Sequence, residues 1–279
     1  MSRKYARFIL ITSVLLNIVL VREIVKYEPP TYKNRFYYRI WQTGLLNKKL
    51  SLSELEGDSI LVILTMGQSN AANSSNSKYK PSGNVLNYYN GNLYEAEEPL
   101  IGASGDGGSV WPVLADLLIK NKFCKKVVIV PIAVGSTDVY NWANGECSLK
   151  LKNTLNDLKE NNIKLTQILW HHGEANNGTS KQVYKENMAS ILKVIRSYHQ
   201  DAPFYCAIAT FSPLAVKMPN GIDVNIQNAQ KEFIEENANV FPGPNTDQLT
   251  HAMDRYDAQH FSEFGKMKFA ELWYASLLK

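Results

Sequence analysis

Short apolar runs alternate with amphipathic stretches along the chain from residue 59 onward. Apolar runs predict buried strands at residues 59–65, 126–133, 166–170 and 203–209. Apolar positions at helical spacing predict helices at residues 111–120, 149–160, 180–198, 223–237 and 262–278. Continuous apolar strands separated by helices indicate a parallel sheet that is covered on both faces. The pattern predicts an α/β fold, a flavodoxin-like three-layer sandwich around a central parallel sheet of about five strands.

Ligands bind to such sheets at the carboxyl ends of the strands. The loops after residues 65, 133 and 170 are therefore the candidate site, and they hold the chain's unusual polar residues. Residues 73–108 are rich in Ser, Asn, Gly and Tyr. We predict that they form a long, partly irregular insertion near this site.

The N-terminal segment has a different pattern from the rest of the chain. Residues 8–21 (FILITSVLLNIVLV) are largely apolar and are preceded by Arg3, Lys4 and Arg7. No small-x-small cleavage site follows, so residues 1–30 are predicted to be an uncleaved transmembrane signal anchor. A cleaved signal peptide and a buried core helix are the alternatives.

The basic flank would keep the N-terminus in the cytoplasm and place the remainder in the periplasm or outside the cell. A cleaved signal would instead give a secreted protein. Residues 31–57 are then a linker or docking segment, and residues 58–279 are the folded domain.

The composition of the chain argues against some classes of function. The formal net charge is +4, but the sequence has no long basic block beside stacked aromatic residues, so we do not expect nucleic-acid binding. None of the three cysteines lies in a C-x-x-C pair. A bridge between Cys124 and Cys147 is possible in an oxidising compartment, and three unpaired buried thiols are the alternative.

Two of the candidate loops suit acyl transfer. Ser69 comes directly after a predicted strand and two residues after Gly67. A serine on such a tight turn can attack a carbonyl while its own N–H helps to hold the oxyanion. Gly135 comes two residues after the predicted strand 126–133, in the second loop, and its backbone N–H can approach the same oxyanion.

Histidines mark the other candidate segments. His171 and His172 are neighbours on a strand and point to opposite faces, so a shared metal is not expected. Asp257 lies three residues before His260, and its carboxylate can hold Nδ1–H while Nε2 accepts a proton from serine. Asp247 with His251 is a rival pair.

Together these segments resemble the SGNH hydrolase superfamily, in particular the branch of sialate O-acetylesterases and acetylxylan esterases of carbohydrate esterase family 6. The most specific parts are GQSNAA at 67–72, VPIAVGST at 130–137, WHHGE at 170–174 and DAQHFSEFG at 257–265. The resemblance implies Ser69 as nucleophile and Asp257 and His260 as the rest of the triad. It also implies an oxyanion hole from the Ser69 and Gly135 N–H groups, with Gln68, Asn70 and Glu174 as supporting residues.

The chain departs from that branch at His172, where the family has a glutamine that donates to the oxyanion. A neutral imidazole at this position can also donate one N–H. The resemblance implies a serine esterase that removes acetyl groups from carbohydrates, such as sialic acid, capsule or O-antigen sugars or a xylan-like glycan. It implies no metal and no other cofactor. An O-acetyltransferase with the same triad and a non-catalytic glycan-binding module are the alternatives.

Overall fold

The computed structural model describes residues 48–82, 84–213 and 218–279. Their strands form one sheet in the order β1-β4-β3-β5-β2-β6-β7-β8. The strands are β1 Lys49–Leu50, β2 Ile60–Gly67, β3 Val85–Tyr89, β4 Asn92–Glu95, β5 Lys126–Pro131, β6 Gln167–His171, β7 Phe204–Ile208 and β8 Val240–Asn245. Strands β3, β5, β2, β6, β7 and β8 are mutually parallel, whereas β4 and β1 pair antiparallel at one edge.

The parallel part of the sheet contains the predicted topology. Taken alone, β5-β2-β6-β7-β8 has the flavodoxin order, with the chain reversing direction across the sheet between β2 and β6. The parallel sheet, predicted to have about five strands, has six, and the antiparallel pairings of β4 and β1 extend the described sheet to eight. Two of the additional strands, β3 and β4, lie in the segment that we expected to be partly irregular. Their polar residues Asn87, Asn92 and Glu95 interrupt the apolar pattern that identifies a strand.

Helices cover both faces of the sheet, as the three-layer prediction requires. They are α1 Trp111–Lys120, α2 Val139–Asn144, α3 Glu146–Glu160, α4 Lys181–Ser197, α5 Val224–Glu236 and α6 Glu263–Leu277. Helices α2 to α5 pack on one face, and α1 and α6 on the other. The side chains of Ser180, Asp223 and Ser262 accept hydrogen bonds from N–H groups of the first turns and fix where α4, α5 and α6 begin.

Alternating strand residues fill two separate cores. In β2, Leu64 and Met66 are buried under α2 to α5, whereas Ile63 is buried under α1 and α6. The same alternation continues in β5 and β6. Because both faces of the central strands are buried, their register is strongly specified, and this fixes the loops at their carboxyl ends.

The predicted signal anchor, residues 1–30, lies outside the described residues, as does most of the predicted linker. Within the described part of the chain, no helix is both long enough and apolar enough to cross a lipid bilayer. The structure decides between the two alternatives for the cysteines. Cys124, Cys147 and Cys206 are all buried and unbridged, so the possible Cys124–Cys147 disulfide is not formed.

Candidate active site

The turn after β2 carries Ser69 and depends on a glycine before it. Gly67 has φ +130°, and a Cβ there would lie 1.9 Å from the backbone oxygen of His171. Only glycine allows the ends of β2 and β6 to approach this closely. Ser69 then starts a short 3₁₀ turn, Ser69–Ala71, and is half-buried. Within the described residues, the Ser69 N–H has no protein acceptor, so it is available to a ligand.

Gln68 joins this turn to the loop after β6. Its side-chain oxygen accepts hydrogen bonds from the N–H groups of Gly173 and Ala175 at 3.3 and 3.1 Å. The buried amide therefore holds the turns that follow β2 and β6 together.

The loop after β5 brings Gly135 against the serine. A Cβ built on Gly135 would lie 3.5 Å from the Cβ of Ser69 and 3.5 Å from the Oγ of Ser104. The Gly135 N–H donates to that Ser104 hydroxyl at 2.7 Å. The structure thus places Gly135 beside Ser69, and it adds Ser104 to the site.

The base loop forms the predicted Asp257–His260 pair. Nδ1 of His260 lies 2.6 Å from Oδ2 of Asp257, and the His260 N–H donates to Oδ1 at 2.6 Å. Ala258 has φ +66°, a left-handed conformation that folds the aspartate back onto the imidazole. Because the carboxylate is only an acceptor, it selects the tautomer with a proton on Nδ1 and leaves Nε2 free to accept one.

The carboxylate of Asp257 is stabilised in its charged form. Partial burial acts to raise its pKa, but the N–H groups of His260 and Gln259 and the His260 imidazole lower that pKa below its usual value. Asp257 is therefore ionised at neutral pH and can orient His260.

The rival pair, Asp247 with His251, is not formed. The carboxylate of Asp247 is buried and accepts hydrogen bonds from the N–H groups of Thr210 and Phe211 and from the Gln227 side chain. His251 is exposed, and its Nδ1 accepts from the N–H of Met253. Asp247 is a structural acceptor here.

Asn70 connects the serine turn to the base loop. Its Nδ2 donates to the Gln259 carbonyl at 3.2 Å, and its Oδ1 accepts from the Phe261 N–H at 3.3 Å. Residues 259 and 261 flank His260, so the side chain next to Ser69 holds the base loop on both sides of the imidazole.

Glu174 lies beneath this connection. Its Oε1 accepts from Nδ2 of Asn70 at 2.9 Å, and its buried Oε2 has no hydrogen-bond donor within the described residues. Burial raises the pKa of Glu174 to about 7. The buried carboxylate thus serves as the acceptor for the Asn70 amide.

The hydrogen-bonding atoms of the His172 ring face protein groups rather than an oxyanion. Its ring is fully buried, stacks on Trp170 at a centroid distance of 4.8 Å and has Nε2 3.0 Å from the Thr137 carbonyl oxygen. A carbonyl only accepts, so the Nε2 proton is used there, and Nδ1 lies 3.4 Å from the Tyr184 hydroxyl. Burial lowers the pKa of His172 to about 4 and keeps the ring neutral. In this arrangement the imidazole shapes the loop that carries Gly135 and presents no free N–H to Ser69.

The other histidine of the pair is also structural. Nε2 of His171 lies 2.8 Å from the Thr246 hydroxyl, and its ring packs at 4.8 Å from Phe269. The two histidines point away from each other, as expected. Among residues 48–82, 84–213 and 218–279, no group of three His, Cys, Asp or Glu side chains is placed to hold a metal ion.

Two residues of the site, Ser104 and Tyr256, were not predicted from the sequence. Ser104 lies in the 73–108 segment, where no motif marks it. Tyr256 is 47% exposed, and its ring lies 6.1 Å from that of His260 with an interplanar angle of 28°. Its position next to Asp257 in the sequence was the available signal.

Comparison with known proteins gives one family and several structures. The family described as "Carbohydrate esterase, sialic acid-specific acetylesterase" matches residues 59–278. No curated protein sequence matches the chain significantly.

Solved structures share the fold at low sequence identity. A protein from Arabidopsis thaliana is 17% identical, with a TM-score of 0.60, and the match covers 79% of this chain and 98% of that one. NanS is 15% identical, with a TM-score of 0.53 and coverage of 79% and 97%. A carbohydrate acetylesterase from Xanthomonas citri is 15% identical, with a TM-score of 0.51 and coverage of 77% and 55%.

Proposed function

The chain belongs to the family of sialic acid-specific carbohydrate acetylesterases, and from this we propose that it hydrolyses O-acetyl esters on carbohydrates with Ser69, His260 and Asp257 as its triad. Family membership makes it a carboxylic ester hydrolase. The triad and the substrate class are the parts that we propose.

One observation carries the proposal. The Asp257–His260 pair, with 2.6 Å between Nδ1 and Oδ2, lies in a loop that is tied to the serine turn by the side chain of Asn70, the residue next to Ser69. A serine, an imidazole with a free Nε2 and an ionised carboxylate are what nucleophilic acyl transfer requires. The backbone N–H groups of Ser69 itself and of the neighbouring Gly135 can donate hydrogen bonds to an oxyanion.

The reaction follows from this geometry. Nε2 of His260 takes the Ser69 hydroxyl proton as Oγ attacks the acetyl carbonyl, and the N–H groups of Ser69 and Gly135 hold the resulting oxyanion. His260 then returns the proton to the sugar oxygen as the ester C–O bond breaks, which leaves acetyl-Ser69. In the second half, His260 deprotonates a water that attacks the acetyl carbonyl. Acetate departs, and the proton returns to Ser69.

A sugar as the alcohol part of the ester is supported by the surface next to the triad. Tyr256 presents an exposed ring beside His260, and its N–H donates to the His260 carbonyl at 3.0 Å. A flat aromatic face held against the base can cover the apolar face of a pyranose ring.

The proposed location rests on the sequence alone. The basic flank and apolar run of residues 1–30 favour an anchored domain that acts on glycans outside the cytoplasmic membrane. A reporter fused to the C-terminus is expected to be active only in the exported compartment, and cytoplasmic reporter activity would refute this location.

The function is tested with the full chain and two substrates, p-nitrophenyl acetate and an O-acetylated sialic acid. We expect acetate release from both and its loss in Ser69→Ala and His260→Ala. His251→Ala is the matched control, because it removes an exposed histidine from the same region without touching the triad. Acetate release that survives Ser69→Ala would exclude the mechanism. Sugar acetylation from an acetyl donor in preference to acetate release would identify a transferase.

A further inference from the structure

Ser104 is a buried serine whose hydroxyl lies at the proposed oxyanion hole. It is 1% exposed, and its Oγ accepts the Gly135 N–H at 2.7 Å. Within the described residues, no acceptor takes the proton of this hydroxyl. A buried hydroxyl normally uses its proton as well as its lone pairs, so an unused one next to an anion-binding N–H suggests a ligand.

The backbone holds Ser104 firmly in this place. Its N–H donates to the carbonyl of Ala133, two residues after β5, at 2.9 Å, and its carbonyl accepts from the Asn73 N–H at 2.7 Å. Asn73 lies four residues after Ser69. The side chain of Asn73 adds bonds to residues 100 and 103 of the same loop. Ser104 is thus braced between the strand that leads to Gly135 and the segment that follows Ser69.

Ser104 and Ser69 approach Gly135 from two sides. A Cβ on Gly135 would meet the Oγ of Ser104 and the Cβ of Ser69, each at 3.5 Å. The carbonyl carbon that Ser69 attacks must project its oxygen toward the Gly135 N–H. That oxygen consequently enters the space next to the Ser104 hydroxyl.

The usual third donor is not available in this chain. Position 172, where the resemblance implies a glutamine that donates to the oxyanion, holds a histidine whose Nε2 proton goes to the Thr137 carbonyl at 3.0 Å. The hole then has only two backbone donors, unless another side chain supplies a third.

We propose that Ser104 is a further catalytic residue, whose hydroxyl donates the third hydrogen bond to the oxyanion formed on Ser69. The inference rests on the proposed function and names one more residue for the same reaction. It assigns to the 73–108 segment a direct part in the chemistry.

The hydrogen bonds exchange as follows. In the free enzyme the Gly135 N–H donates to the Ser104 hydroxyl. When the oxyanion forms, the Gly135 N–H donates to it instead, and Ser104 rotates about Cα–Cβ to direct its O–H proton to the same oxygen. Ser104 takes part in no covalent bond change and transfers no proton. A neutral hydrogen bond is replaced by two charge-assisted ones, which are the stronger kind.

The test is the steady-state kinetics of Ser104→Ala in the full chain with p-nitrophenyl acetate. We expect kcat to fall on the order of 10²-fold, because removal of one side-chain oxyanion donor typically has such an effect, while KM changes little. Ser104→Thr retains the hydroxyl and should keep most of the wild-type kcat. Ser136→Ala is the matched control, since Ser136 adjoins Gly135 but has an exposed side chain.

The outcomes separate the two proposals. Activity in wild type that is lost in Ser69→Ala supports the triad whatever Ser104 does. A kcat of Ser104→Ala within about threefold of wild type, or above it, would overturn the role of Ser104 and make it an occupant of the hole in the free enzyme only. If Ser104→Ala does not fold, as judged by thermal melting, Ser104→Cys keeps the size of the side chain and replaces the hydroxyl with a weak donor. A folded Ser104→Cys variant with wild-type kcat overturns the proposal in the same way.

Discussion

The side-chain amide of Asn70 donates to the buried carboxylate of Glu174 at 2.9 Å, and this contact orients the amide. With Nδ2 turned toward Glu174 and the Gln259 carbonyl, Oδ1 faces the Phe261 N–H. The Gln259 carbonyl also accepts from Arg255 at 2.6 Å. Asn70 and the carboxylate that orients it therefore help to fix the position of His260 relative to Ser69.

Loss of the Asn70 side chain should slow the chemical step more than it weakens substrate binding. In Asn70→Ala the base loop loses two bonds that fix it to the serine turn, and a small displacement of a catalytic group can lower rates by about 10²-fold. We expect kcat for p-nitrophenyl acetate to fall roughly 10- to 100-fold with KM nearly unchanged.

The control for Asn70→Ala is Asn177→Ala. The Asn177 amide donates to the Glu174 carbonyl at 3.0 Å and does not contact the base loop. If both variants retain wild-type kcat, the base loop is held without Asn70. If both lose it equally, the effect comes from the loop around Glu174.

Glu174 should make the folded state less stable as the pH rises. Burial raises its pKa to about 7 in the folded protein, whereas an unfolded chain has an ordinary glutamate near 4.3. Between these values the folded state holds a proton that the unfolded chain has released, so this contribution to the free energy of unfolding is lost as the pH rises toward 7.

The measurement is urea unfolding of wild type and Glu174→Gln at pH 5 and pH 8. Gln keeps an acceptor for Asn70 but does not titrate, so we expect the decrease in free energy of unfolding from pH 5 to pH 8 to be smaller in the variant by on the order of 2–3 kcal/mol. Equal decreases in the two proteins would show that Glu174 is already ionised at pH 5.

The apolar pattern was sufficient to locate five of the six α-helices of the described residues and the four central strands β5, β2, β6 and β7, but it missed the short helix α2. Helix α1 has the predicted limits, and α4 lies within one residue of the predicted 180–198 at each end. Strand β8 was missed because its sequence, VFPGPN, holds two prolines and a glycine, which usually mark loops. At the sheet edge such residues are tolerated, since only one neighbouring strand needs their backbone hydrogen bonds.

Local sequence could identify the Asp257–His260 pair because its members are only three positions apart, and the structure forms it. It could not identify Ser104, which reaches Gly135 only through the tertiary path of the 73–108 segment. It also could not determine the direction of the His172 ring, since that depends on the distant Thr137 carbonyl and the Tyr184 hydroxyl.

Replacing His172 should therefore affect stability more than catalysis. His172→Ala removes a ring that stacks on Trp170 and leaves the Thr137 carbonyl without its buried donor. We expect a loss of about 2–4 kcal/mol in the free energy of unfolding. The fall in kcat should be below the 10²-fold or greater effect of removing an oxyanion donor.

His172→Gln also tests whether the side chain at this position acts through stability. Its amide can donate to the Thr137 carbonyl, so we expect partial recovery of stability in urea unfolding relative to His172→Ala. A 10²-fold or greater loss of kcat in His172→Ala with unchanged stability would instead assign the imidazole to the oxyanion hole.

Replacing Tyr256 should affect the hydrolysis of a sugar ester more than that of p-nitrophenyl acetate. Its exposed ring stacks beside His260, where the alcohol part of the substrate must lie if His260 protonates the leaving oxygen. Tyr256→Ala removes this flat surface but keeps the backbone N–H that donates to the His260 carbonyl. We expect KM for an O-acetylated sugar to rise about tenfold, in line with the 1–3 kcal/mol that an aromatic contact contributes to base stacking, while kinetics with p-nitrophenyl acetate change little. Tyr256→Phe is the control, because it keeps the ring and removes the hydroxyl. An equal loss with both substrates in Tyr256→Ala would mean that the ring acts by positioning His260, and that the sugar is bound by other residues.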